Sequence, residues 1–301
     1  MQVIQHPVEK LQNALVSSRR DLVECFQKYS HNERRLMEEG LHPDSPLFGP
    51  ITIHSDSDWI SSHPETPQDF QSFYSDPYRS TPIKSRNTIY IQTIGDLLNF
   101  LKKKKPKDAF CIVGITMIDL YPKDSWNFVF GQASLTEGMG VFSFARYDDN
   151  FYSTGYKGRL QKGKRLRQGD YTVFTGYYTP PISSTLLLRS CKTLTHEIGH
   201  IFGIKHCQWL QCVMQGSNHL EESDRRPPEL CPICLRKLQS VLGFKIADRY
   251  KALLQWMEQG LASEQHTASS PSGNMVRPMQ AFEDHRRWLQ RCLSVLEGEI
   301  F

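Results

Sequence analysis

No apolar run in the 301 residues approaches the length of a membrane span, so no transmembrane helix is expected. Residues 1–6 carry no hydrophobic targeting core, and no signal peptide is expected. No Asn-x-Ser/Thr sequence occurs, which leaves no acceptor for N-linked sugar. There are no internal repeats. A net charge of +4 is too small to argue for nucleic acid. What is present is globular in kind, with 39% hydrophobic and 23% charged residues. The length suits one sizeable domain with extensions, or two small ones. Of eight cysteines, Cys25, Cys111, Cys191 and Cys292 are scattered and four fall in a pattern. A reducing, intracellular location is expected, cytoplasmic with the nucleus as a second candidate.

The densest chemistry lies in the stretch HEIGHIFGIKHC, from His196 to Cys207. A helix puts His196 and His200 one turn apart, about 6 Å along its axis and on one face. Two imidazoles so placed can grip one Zn²⁺. Glu197 takes the position of a general base in zinc hydrolases. Gly203 can adopt positive φ and end the helix, after which His206 can supply a third nitrogen. Three protein ligands leave a fourth position for water. HExxH alone has real false positives; with HxxGxxH the pattern is much stronger, and a buried helix with two satisfied histidines becomes the lesser reading.

A second pattern starts at Cys207: Cys207-x4-Cys212, then Cys231-x2-Cys234. Two close pairs joined by a loop suit a structural zinc site with four thiolates; two disulfides or a redox pair are the alternatives. Met214 lies eight residues beyond His206, where metzincins turn under the metal; an ordinary core methionine is the plain alternative.

Together HExxHxxGxxHC, Cys212-Val213-Met214 and Cys231-x2-Cys234 resemble the archaemetzincin family of metzincin zinc peptidases, its animal branch most of all. The resemblance also takes in LYPKDSWNFVFGQA (residues 120–133) and MQGSNHL (residues 214–220) and covers most of the chain. It implies an α+β fold: a metzincin-like catalytic domain with a mixed twisted sheet, a long active-site helix and a lower subdomain stapled by the four-cysteine zinc site, with N- and C-terminal helical extensions. The expected boundaries are an extension over 1–86, the peptidase domain over 87–262, and a linker with a C-terminal helix over 263–301. Two Zn²⁺ ions are implied, one catalytic and one structural, with a peptide or protein substrate, no nucleic acid and no membrane span.

Element by element, residues 8–40 read as helical, and 41–86 as a long irregular segment with many aromatics. Its His42, His54 and His63 are assigned no metal. Strands are expected at 88–94, 109–121, 127–133 and 140–147. A short helix is expected from Asp96 to Leu101; the four lysines after it suit a solvated helix end better than an anionic partner. By the resemblance, 140–147 is the edge strand that pairs with substrate backbone. Residues 148–179 read as an exposed basic loop rather than a nucleic-acid site. The active-site helix is expected over 183–202, with further helices to Leu242, over 248–261 and over 281–296.

The chain departs from the family pattern after residue 95. There Ile94-Gly95 runs almost directly into Asp96-Leu97-Leu98, as if a segment holding a helix and a strand were missing. Weaker stability and impaired activity are expected to follow. The rival class is a zinc-stabilised scaffold with weak or no catalysis. A nucleic-acid finger fits poorly, since Arg225 and Arg226 stand among Glu221, Glu222, Asp224 and Glu229.

Overall fold

The structure is a computed structural model that describes residues 1–93, 101, 103–120, 129–134, 137–153, 182–262 and 279–298. In chain order it begins with β1 (Gln2–Ile4), α1 (Val8–Val16), α2 (Arg20–Gln27), α3 (His31–Glu39), β2 (Ile51–Ile53), α4 (Trp59–Ser62) and α5 (Phe70–Tyr74). The strands β3 (Thr88–Thr93), β4 (Ala109–Thr116), β5 (Gly131–Ser134) and β6 (Met139–Ser143) follow. Then come α6 (Ser184–Ile201), α7 (Leu220–Arg225), α8 (Pro232–Leu242), α9 (Ile246–Ala262) and α10 (Met279–Glu297). The chain divides into two compact units, Pro82–Ile201 and, as the other, Met1–Thr81 with Phe202–Phe301.

In the unit Pro82–Ile201, four strands form a mixed sheet in the order β3-β4-β6-β5. β3, β4 and β6 run parallel and β5 runs antiparallel to β6. β4 is rich in β-branched residues and buried on both faces, as a central parallel strand should be. Its alternation sends Ile112 into one layer with Leu101, Leu120, Met139 and Val141. Cys111 and Val113 point the other way and meet Phe142 and Ile201, with Leu194 and Ile198 against them. Leu194, Ile198 and Ile201 recur at helical spacing, so this contact fixes which side of α6 lies on the sheet. The ring of Phe142 leaves no room for side chains beside it: a Cβ on Gly131 would lie 2.3 Å from it, and one on Gly140 2.5 Å.

One expectation needs correcting. The segment 140–147 is not an edge strand. β6 lies inside the sheet, bonded to β4 on one side and β5 on the other, and all its residues are buried. It ends at Ser143, and Ala145–Tyr147 is a turn of 3₁₀ helix. Among the described residues the edge on that side is β5, whose residues are largely half-buried. An apolar run reveals a strand but not its neighbours; here the parallel pairing to β4 takes up one side of β6 and the antiparallel pairing to the preceding β5 the other. Most of the expected helix after Asp96, most of the basic loop over 148–179 and the linker after residue 262 lie outside the described residues.

In the other unit β1 and β2 pair antiparallel. The helical stretch expected over 8–40 is three helices. Ser17, at φ 77°, breaks the first from the second. Ser30 starts the third through a capping box, in which its hydroxyl accepts from the Glu33 N–H while the Glu33 carboxylate accepts from the Ser30 N–H. The segment 41–86 is less irregular than its composition suggests, since β2, α4 and α5 lie within it. At the centre is Arg236 of α8, fully buried, with its guanidinium 3.6 Å from the Phe70 ring centroid and 4.8 Å from that of Phe26. It donates to the backbone carbonyls of Leu15 and Leu22. Burial pulls its pKa down to about 10, so it stays charged at neutral pH.

Candidate metal centre

α6 carries His196, Glu197 and His200. With Leu194, Ile198 and Ile201 committed to the sheet, the 100° step per residue turns His196 and His200 to the opposite side. Their Nε2 atoms are 3.0 Å apart and their rings nearly perpendicular, at 86°. Ligands on one tetrahedral Zn²⁺ at the usual Zn–N distance sit ~3.3 Å apart, so the pair fits a shared metal. Glu197 lies between them in sequence and is half-buried. The helix is held further along: Arg189 donates to the Tyr147 carbonyl at 2.9 Å, and the Tyr147 hydroxyl bonds Thr193.

His206 belongs to the other unit. Gly203, at φ +92°, turns the chain before it, and a Cβ there would lie 3.1 Å from the Arg79 Cα. His206 Nδ1 lies 2.9 Å from Glu65 Oε1, and its ring meets the edge of Trp59 at 5.0 Å. His63 stacks on that same Trp59 at 3.9 Å and His42 and His54 lie in no metal-sized group of described residues.

The four cysteines come together. All are buried, with their sulfurs within 4.8 Å of one another. Cys207 Sγ and Cys231 Sγ are 3.6 Å apart, far beyond a disulfide bond and near the ~3.8 Å edge expected of a ZnS₄ tetrahedron. Two backbone N–H groups, of Met214 and Cys231, donate to Cys212 Sγ. Hydrogen bonds from the thiols of Cys212, Cys231 and Cys234 hold Cys207 well below the ordinary thiol range. Burial pushes Cys212 and Cys231 well above it, and Cys207 and Cys234 add to the rise in both. Four thiols so close cannot all ionise unaided, which is the charge pattern a dication resolves. Met214 is fully buried beside them, and its carbonyl accepts from the Cys207 N–H at 2.8 Å, closing the loop between the two.

Sequence reasoning passed over a third group: Asp58, His219 and Glu222, also close enough to share an ion. Protein donors already serve it. Arg225 donates to Asp58 at 2.8 Å, and the N–H groups of Trp59 and Asn218 each reach Glu222 at 2.7 Å. Burial opposes the charge on Asp58, yet the His54 N–H and the Arg225 guanidinium hold its pKa below the usual carboxylate range. The group anchors the start of α4. His219 and Glu222 are three residues apart, but Asp58 lies 161 residues before the first of them, so no local spacing signals the group as a whole. Glu65 and Gln68 were missed for the same reason.

The profile of peptidase family M54 matches residues 129–240, a span holding all three histidines, Glu197 and the four cysteines. Archaemetzincin-2 of Macaca fascicularis and that of Homo sapiens are each 50% identical to this chain over 360 residues, covering 99% of it and 100% of the relative. The chain belongs to the archaemetzincin family. Membership makes it a zinc metallopeptidase, a hydrolase of peptide bonds. Human Archaemetzincin-1 is 31% identical over 96% of this chain and 82% of its own length, so the likeness is greater to the second archaemetzincin than to the first. An alignment of 360 residues exceeds the 301 of this chain, so this archaemetzincin lacks residues that those relatives have.

On the described residues β3 is an outer strand, with Ile89 38% and Ile91 60% exposed. Restoring a relative's segment after residue 95 is expected to raise the melting temperature by covering such apolar surface. Thermal unfolding of the two chains side by side measures this, and equal midpoints would count against a stabilising role for the segment.

Proposed function

We propose that this archaemetzincin binds two zinc ions and cleaves peptides at one of them. His196, His200 and His206 would hold the catalytic ion, and Cys207, Cys212, Cys231 and Cys234 the structural one. The observation that carries the reading is the pair of α6 nitrogens at 3.0 Å, set on the side of the helix away from the sheet. A zinc ion held there supplies Lewis acidity, drawing the pKa of water towards about 7 and polarising a peptide carbonyl. Glu197 takes the proton from the attacking water and passes it to the leaving amine. Among the described residues β5 is the outer strand next to β6, and its backbone N–H and C=O groups would pair with an extended peptide and align the substrate before reaction. The reading includes no role in binding nucleic acid: Arg225 is paired with Asp58, and Arg226 is buried, donating to the Gln215 carbonyl and to Ser223. A reducing, intracellular compartment suits a cluster of thiols that holds zinc only while unoxidised.

The test joins metal analysis to cleavage of a peptide library by the full chain. Two zincs per chain with cleavage is the expected result. Two zincs without cleavage would overturn the peptidase reading of this chain and leave a zinc-stabilised scaffold. A single zinc would refute the two-site assignment.

A further inference from the structure

Resting on the three-histidine reading above, we propose that Glu65 and Gln68 are positioning residues that set His206 for metal binding. Gln68 fixes the backbone and Glu65 the ring. The two lie in the stretch between α4 and α5, well over a hundred residues before the motif they serve.

Gln68 is 4% exposed. Its Nε2 donates to the Gly203 carbonyl at 3.0 Å, and its Oε1 accepts from the Lys205 N–H at 3.0 Å. One side-chain amide thus spans the turn that ends just before His206. Gln68 is itself held through its carbonyl, which accepts from Trp209 Nε1 at 3.0 Å and from the buried Lys237. The turn needs such a brace, because Gly203 at positive φ is the residue with the most backbone freedom to lose.

Glu65 acts on the imidazole. Its Oε1 and Oε2 lie 2.9 and 3.2 Å from His206 Nδ1. An ionised carboxylate only accepts, so Nδ1 carries the hydrogen and Nε2 keeps its lone pair outward. A carboxylate on the far nitrogen also makes the ligating nitrogen a better donor to a metal. Glu65 is held by further donors: Trp59 Nε1 at 3.0 Å and Gln208 Nε2 at 3.4 Å. Trp59 is seated in turn, with its N–H on Glu222 and its ring so close over Gly216 that a Cβ there would lie 2.3 Å from it. The carboxylate therefore has a fixed address rather than a swinging one, which is what orienting a ligand requires.

The experiment measures zinc retained by the full chain against graded chelator, with the four-cysteine site as internal control. Cobalt substitution separates the sites by their spectra, since thiolate and imidazole ligation absorb differently. Glu65→Ala is expected to weaken the histidine site about 10–100-fold and leave the thiolate site unchanged. Glu65→Gln keeps an acceptor for Nδ1–H and should fall between the two. Gln68→Ala should weaken the same site and no other. If Glu65→Ala and Glu65→Gln both hold the second ion as tightly as the unsubstituted chain, the proposal fails. Should Glu65→Ala not fold, Glu65→Gln alone decides. His206→Ala tells this failure from that of the underlying reading: loss of the histidine-site ion in His206→Ala, with no effect at Glu65, sinks only the positioning role. Two ions retained in His206→Ala would sink the three-histidine site itself.

Discussion

Glu197→Ala is expected to keep both zinc ions and lose peptide hydrolysis. The carboxylate is not one of the three nitrogen ligands, so metal content should not change. The proton on the attacking water then has no acceptor in place, and the leaving amine has no donor. General acid–base groups contribute on the order of 10²–10⁴ in rate, which is ~3–5 kcal/mol of barrier. Glu197→Gln is the sharper variant, because it preserves shape and hydrogen-bonding reach while removing basicity. Single-turnover cleavage of a peptide found in the library screen measures the loss. Activity within a few-fold of the unsubstituted chain would remove Glu197 from its role as base.

Cys231→Ser is expected to do its damage through the fold. Cys231 sits at the N-terminus of α8, fully buried, just before Pro232. Its sulfur faces Cys207, its N–H donates to Cys212 Sγ, and its carbonyl starts the helix by accepting from the Leu235 N–H at 2.8 Å. One residue thus joins α8 to the loop that begins at Cys207. Structural zinc contributes on the order of 10 kcal/mol, comparable with the whole stability of a typical domain. Losing one thiolate should therefore release the ion and melt the unit that holds residues 202–301. Circular dichroism melts with zinc analysis read this directly. An unchanged melt at full zinc content would show that the cluster is no staple.

The parts of the centre that could be read from sequence were those written in local spacing. His196 and His200 are four residues apart on a helix whose expected span, 183–202, differs from the observed Ser184–Ile201 by one residue at each end. The four cysteines announce themselves as two short pairs, and β4 as an unbroken β-branched run. What sequence did not disclose was set by which segments pair, near or far along the chain. Whether 140–147 is an edge depends on β6 pairing with both β4 and the preceding β5, and no property of VFSF records that. Glu65 is one carboxylate in a stretch rich in proline and serine; only the folded chain brings it to a histidine 141 residues away. The triplet of Asp58, His219 and Glu222 is hidden in the same way, and its service as an anchor shows only from its donors.

Arg236 has a consequence for how the chain finds its register. A flat cation can lie against Phe70 and Phe26 and still reach the carbonyls of Leu15 and Leu22, but only at one setting of α8 against the early helices. Sliding α8 by a single turn would strand a charge in oil. Greasy contacts alone tolerate such slippage; a keyed cation does not, so this half of the molecule has a lock as well as a filling.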